Sequence, residues 1–193
     1  KGIELLLKAF SKLPIKTKLR IWRTQSQETK ALKSIADQFP QKIKDKIEWM
    51  GSYKNENIVV EVFNNLDTIV VPSIWGENSP LVIHEAEHLR IPVITADYGG
   101  MAEYVRDGVN GLLFKHRDVE SLSEKMENLA VDNKLYIKLS QNGYLYSNDG
   151  NIPSINEHTR QLENVYFDIA TSKNKLVSTK PGPWRITFDT NPD

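Results

Sequence analysis

The chain has 193 residues, 39% hydrophobic and 26% charged, the make-up of one ordinary globular domain with its own core. Twenty-five basic residues balance 25 acidic ones, which argues against a dedicated nucleic-acid binder. The lack of cysteine excludes a disulfide scaffold and Cys-ligated zinc, and fits a cytoplasmic location. No apolar run approaches the roughly 20 residues of a transmembrane segment, and no signal-peptide pattern opens the chain.

The sequence starts at KGIELLLKAF, already in helical pattern, with Ile3, Leu6, Leu7, Phe10 and Leu13 at helical spacing and Pro14 ending the run. Upstream sequence is therefore expected. Lys18–Trp22 reads as a strand, Glu28–Phe39 as helical, Ile47–Gly51 as a strand and Asn57–Leu66 as an amphipathic helix. Thr68–Ser73 is a continuous apolar strand of the kind buried on both faces. Ser79–Arg90 predicts a helix with Ser79 as N-cap and Pro80 at the first helical position. Pro92–Asp97 is a second buried strand, Gly99-Gly100 opens a short helix, and Asn110–Phe114 is a final strand. Helices follow at about Val119–Val131, Lys134–Tyr144 and within Ile155–Ala170. This alternation with short connections predicts α/β architecture: a Rossmann-like, doubly wound parallel sheet.

HEAEH, His84 to His88, matches the two-histidine zinc signature of metalloproteases. On a wheel of about 100° per residue, Leu81, Val82, Ile83, Ala86 and Leu89 share the expected buried side. His84 and His88 fall opposite, and Glu85 at the edge. The two histidines could meet on that face. A catalytic zinc needs a third ligand, however, and His116 and His158 are not in a recognisable arrangement to provide one. Clamped between two predicted strands, this is a crossover helix, and solvent-facing histidines are the expectation.

The longer stretch PSIWGENSPLVIHEAEHLRIPVITADYGGMAEYVRDGVNGLLF resembles the retaining glycosyltransferases of the GT-B fold (group 1, family 4 type), specifically their C-terminal, donor-binding domain. The elements that carry the resemblance come in order: a strand ending in Pro-Ser, Glu77 and Glu85 with seven residues between them, a Pro-Val strand, Gly99-Gly100 with Glu103 downstream, and Asn110–Leu113. The dense match runs from Val70 to Phe114, and a looser one from Lys1 to Ala170. The resemblance implies a nucleoside-diphosphate sugar as donor substrate, with no cofactor and no metal. Glu77 would contact the transferred sugar, and Asn78, Ser79, Pro80 and Leu81 would hold sugar and phosphate. Glu85 would accept hydrogen bonds from the ribose, and Lys1 would grip the diphosphate. The physical chemistry agrees: ligands of open parallel sheets bind beyond the strands' carboxyl ends, and a helix start near Ser79 offers free N–H groups to an anion.

The sequence departs from the family where Trp22-Arg23-Thr24 stands in place of a Gly-x-Gly turn, which puts donor affinity or identity in doubt. Arg90 also replaces a glycine at the helix end, which costs little unless a positive φ is required. Residues 1–172 are expected to form the donor-binding domain, and 173–193 a linker or the start of a following domain. Within that tail, PWRITFDTNPD resembles the strand leading into the cysteine motif of radical-SAM enzymes, so a fusion to such a domain downstream is expected. The expected activity is sugar transfer with retention to an acceptor held by an N-terminal domain outside this chain, the fragment alone being inactive. A nucleotide-sugar epimerase of the same fold and a non-catalytic nucleotide-sugar-binding or interaction module remain open as alternatives.

Overall fold

The computed structural model describes residues 2–14, 17–22, 26–147 and 149–172. The expectations for Lys1, for Arg23-Thr24 and for the tail 173–193 fall outside them. Two compact units divide the chain, residues 1–152 and 153–193.

The first unit alternates helices and strands: α1 (Ile3–Ser11), β1 (Leu19–Trp22), α2 (Gln27–Ala36), α3 (Gln41–Lys44), β2 (Ile47–Gly51), α4 (Ile58–Glu61), β3 (Ile69–Val71), α5 (Leu81–His88), β4 (Val93–Ala96), α6 (Met101–Tyr104), β5 (Gly111–Phe114), α7 (Val119–Val131) and α8 (Asn133–Ser140). All strand pairs are parallel, as expected of a Rossmann-like sheet, but among the described residues they form two groups: β1 with β2, and β3-β4-β5. Central β4 is buried at all four positions. Among the described residues β3, predicted to be buried on both faces, pairs with β4 alone, and its three residues are half-buried.

Local chemistry explains the helix starts. The Asp118 carboxylate accepts from Ser121 N–H at 3.0 Å to cap α7, and Asp132 caps α8 through Lys134 and Leu135 N–H. α1 packs on α7, burying Leu6, Leu7 and Phe10 near Leu122 and Leu129, with Lys12 paired to Glu120 at the rim. Gly2, at φ 82°, begins α1 so close to the end of β3 that an added Cβ would lie 1.7 Å from the Pro72 carbonyl oxygen. Only glycine fits there, and the contact fixes the head of α1 beside the carboxyl end of β3.

Two expectations need correction, and one condition left open is met. The amphipathic run Asn57–Leu66 is not one helix: single 3₁₀ turns at Asn55–Asn57 and Phe63–Asn65 flank the one-turn α4. Its Asn-rich ends divert it, with the Asn65 side chain bonding to the Val60 and Glu61 carbonyls. The helix predicted over Lys134–Tyr144 stops at Ser140. Arg90 does adopt positive φ, 57°, a conformation that costs a non-glycine residue about 1–2 kcal/mol. Its guanidinium offsets the strain by donating to the Gln141 carbonyl at 2.7 Å and the Asp149 carbonyl at 2.9 Å.

In the second unit, α9 (Ile155–Ser172) starts with a reciprocal cap, Ser154 N–H donating to Glu157 Oε2 at 2.7 Å and Glu157 N–H to Ser154 Oγ at 3.3 Å. Among the described residues no helix is long and apolar enough to cross a membrane.

Replacing Arg90 by alanine keeps the strained φ and loses both hydrogen bonds, so urea denaturation should show a loss of about 1–3 kcal/mol. Arg90→Gly removes the strain and should lose less. Equal midpoints for wild type and Arg90→Ala would contradict this account of the helix end.

Candidate functional site

The loop from Pro72 to Pro80 leaves the carboxyl end of β3 and leads into α5, and the Gly99-Gly100 turn after β4 lies against it. Gly100 N–H donates to the Glu77 carbonyl at 2.8 Å, and a Cβ on Gly100 would sit 1.6 Å from the Asn78 carbonyl oxygen. The Gly-Gly pair is therefore required by backbone-to-backbone contact with the two residues that begin the candidate site. From the other side, Arg117, also at positive φ, donates to the Ile74 carbonyl at 3.2 Å.

Each predicted residue takes a definite place on this mount. Half-buried Glu77 accepts from the hydroxyl of buried Ser73 at 3.0 Å, which holds its carboxylate at the loop. Asn78 and Ser79 are exposed. Pro80, not Ser79, is the N-cap of α5, and no side chain caps the helix. Ser79 instead turns its Oγ to His84 Nε2 at 2.6 Å. Leu81 begins the helix with its side chain 74% exposed. Its amide and that of Val82 lie in the first turn, where N–H groups point along the axis toward the loop. Glu85 follows one turn later, about 6 Å along the axis, half-buried, and burial raises its pKa. The Tyr53 hydroxyl, after β2, is held above its ordinary value by burial and by the nearby Glu85 charge. The structure thus gathers Glu77, Asn78, Ser79, Pro80 and Leu81 at one end of α5 with Glu85 on its second turn. Lys1 lies outside the described residues.

The helical wheel is rotated relative to expectation. Ile83, Ala86 and Glu87 form the buried face of α5, while Leu81 is exposed. His84 is not solvent-facing: its side chain is 19% exposed, edge-on to the Tyr104 ring at 4.3 Å between centroids. With Nε2 on Ser79 and Nδ1 3.6 Å from Glu87 Oε2, its ring is committed within the fold, while His88 is exposed. Among the described residues no three His, Cys, Asp or Glu side chains gather as metal ligands.

Glu87 went unread in the sequence. It is 2% exposed, it accepts from Asn110 Nδ2 at 3.0 Å, and desolvation raises its pKa to about 8 against the lowering effect of that hydrogen bond. Its position four residues after Ile83 on the buried stripe is the signal that could have found it. Arg117 has no such signal, because its contact with the Ile74 carbonyl depends on how loops meet.

A chain of this architecture and site belongs to a known class. Residues 1–146 match the family described as Glycosyl transferases group 1, and the protein belongs to that family. Among curated relatives it is 30% identical over 132 residues to the D-inositol 3-phosphate glycosyltransferase of Mycobacterium sp. (strain KMS), covering 67% of this chain and 29% of the relative. It is 32% identical over 84 residues to the N,N'-diacetylbacillosaminyl-diphospho-undecaprenol alpha-1,3-N-acetylgalactosaminyltransferase of Campylobacter jejuni, covering 44% of this chain and 22% of that enzyme. The chain therefore spans less than a third of the length of these relatives. Among solved structures, Anabaena HepE in complex with UDP-glucose superposes with a TM-score of 0.72 at 19% identity, over 86% of this chain and 45% of that one. Sucrose-phosphate synthase from Thermosynechococcus elongatus gives 0.70 at 20%, over 90% and 43%. The shared fold is GT-B.

Two outcomes follow from the geometry. Gly100→Ala must displace the Asn78 backbone, and a thermal melt should show a loss of about 1–3 kcal/mol; an unchanged melting temperature would mean that the turn does not support the loop. For Glu87, the folded pKa lies above the ordinary carboxylate value, so the folded state holds the proton more tightly than the unfolded chain. Its contribution is fully present below about pH 4.5 and lost as pH rises through about 8. Glu87→Gln should therefore gain stability relative to wild type between those limits. Parallel melting curves across that range would show that Glu87 is not held neutral.

Proposed function

We propose that this chain is the nucleotide-sugar-binding part of a retaining glycosyltransferase, whose acceptor is held by a further domain of the same polypeptide. The single observation that supports the reading most is the placement of Glu77–Leu81 at the uncapped start of α5, beyond the carboxyl end of β3, with Glu85 one turn behind. An anionic diphosphate fits against such a helix start, whose amides and positive end oppose its charge. Glu85, pointing from the second turn, accepts from two ribose hydroxyls. Lys1, which precedes Gly2 in the sequence, adds a cation to the diphosphate, and Gly2 brings the head of α1 to the end of β3.

In the proposed reaction the bond between the anomeric carbon and the phosphate oxygen breaks, and the electron pair leaves with the diphosphate. Positive charge grows on the sugar ring, where the Glu77 carboxylate stabilises it. The first amides of α5 stabilise the departing diphosphate, an electrostatic contribution that grows as charge develops. Backbone groups of Asn78 to Leu81 hold the sugar. The acceptor hydroxyl attacks from the face the diphosphate leaves, and its proton passes to a phosphate oxygen, giving retention. The UDP-glucose complex of HepE fits a nucleotide-sugar donor, since that protein shares the fold.

Calorimetric titration with UDP-glucose should show Glu85→Ala binding about 10- to 100-fold more weakly, as expected for lost hydrogen bonds to a charged group. Glu77→Gln should leave affinity nearly unchanged and reduce transfer by the complete enzyme about 100-fold or more. Equal affinity of Glu85→Ala and wild type would remove Glu85 from the site. A product of inverted anomeric configuration, read by NMR coupling constants, would overturn retention.

A further inference from the structure

The exposed Ser79 hydroxyl is the outer end of a polar chain that runs into the core. Ser79 Oγ lies 2.6 Å from His84 Nε2, His84 Nδ1 lies 3.6 Å from Glu87 Oε2, and Glu87 Oε1 accepts from Asn110 Nδ2 at 3.0 Å. Asn110 fixes the direction of the inner end. Its Oδ1 accepts from Arg106 N–H at 2.8 Å, so its Nδ2 is the atom that faces Glu87, the Tyr104 carbonyl at 3.0 Å and the Gly143 carbonyl at 3.3 Å. Glu87 Oε1 must then be an acceptor, and a proton on this carboxyl sits on Oε2. That oxygen is buried without a hydrogen-bond partner, and His84 Nδ1 is the group before it.

We propose that Glu87 and His84 are positioning residues that set the polarity of the Ser79 hydroxyl: a neutral Glu87 offers Oε2–H to His84 Nδ1, His84 Nε2–H donates to Ser79 Oγ, and the Ser79 O–H is left to donate outward to an oxygen of a bound nucleotide sugar. The ligand rests on the donor-binding reading above; the relay itself does not. The groups that face it are Tyr104 from α6, Tyr144 from the segment after α8 and Asn110 beside β5, with Tyr146 against both tyrosine rings. Among the described residues no lysine or arginine pairs with Glu87 or His84. Burial lowers the His84 imidazole and raises the Glu87 carboxyl to about 8, which favours the neutral form of each.

Ionisation of Glu87 reverses the chain. The carboxylate then takes the Nδ1–H tautomer of His84, Nε2 becomes an acceptor, and the Ser79 proton turns inward. The outer face of Oγ is left with lone pairs only, which an anionic donor does not favour. Glu87→Gln cannot ionise, and its amide donates to Nδ1 at every pH.

Nitrogen-15 NMR of histidine-labelled protein reads the tautomer directly, with the His84→Gln spectrum identifying the signals. The wild type should show Nε2–H at about pH 6.5 and Nδ1–H at about pH 9.5, whereas Glu87→Gln keeps Nε2–H at both. An Nδ1–H tautomer in wild type at the lower pH, or no change between the two, overturns the relay, and the wild type alone decides this. In parallel, UDP-glucose affinity should fall about tenfold between those pH values in wild type and stay level in Glu87→Gln. Ser79→Ala should be weak and level. A pH-dependent loss in Ser79→Ala equal to that of wild type overturns the outward donor. No UDP-glucose binding by any of these proteins at either pH overturns the donor-binding reading, while the tautomer measurement still decides the relay.

Discussion

The contact between the Gly100 backbone and the Asn78 carbonyl is the constraint on which the candidate site depends. It sets how β4, through the turn after it, meets the loop after β3, and so where α5 begins. A side chain at Gly100 has no room, and the Gly100 N–H bond to the Glu77 carbonyl closes the contact. Because two parallel strands anchor the pieces, loop position follows from sheet register, with Val93 opposite Ile69 on one side and Gly111 on the other. What a ligand would meet is thus fixed by the core, while the exposed side chains of Asn78 and Leu81 carry none of the packing. This separates the support of the site from its chemistry.

Glu87 shows how the same helix accommodates a costly group. A buried ionised carboxylate without a cationic partner would be strongly destabilising, and the fold answers by holding the group neutral and giving one oxygen a donor. Asn110 is suited to this because its amide is already oriented by a backbone N–H and two carbonyls. The polar pocket joins α5, the end of α6, the start of β5 and the segment after α8, four parts of the chain that share no continuous sequence.

Much of the architecture was legible because it rests on local signals. β2 and α7 have the predicted bounds, and β1, β4 and β5 lie within their predicted runs, since short runs rich in apolar and β-branched residues between turn residues leave few alternatives. The gathering of Glu77 to Leu81 with Glu85 also followed from order along the chain. Reading failed where tertiary context overrode the pattern. The wheel weighted Leu81 as core because it is apolar, yet that residue heads the helix where nothing in the domain covers it. Ser79 looked like a cap, but His84 competes for its hydroxyl. Glu87 was passed over for the converse reason: its spacing from Ile83 places it on the buried stripe, but a charged letter inside the HEAEH run gives no hint that Asn110 is its partner.

The guanidinium of Arg90 has a reach beyond the end of its helix. It clamps the carbonyls of Gln141 and Asp149, which flank the segment carrying Tyr144 and Tyr146, and the Tyr144 ring stands against His84. The segment that covers His84 and Glu87 is therefore tied down from the surface, by a guanidinium that touches neither the imidazole nor the carboxyl. Slackening that clamp would admit water, restore solvation to the carboxyl and let its acidity drift toward that of a free side chain. Arg90 is in this sense a dielectric valve.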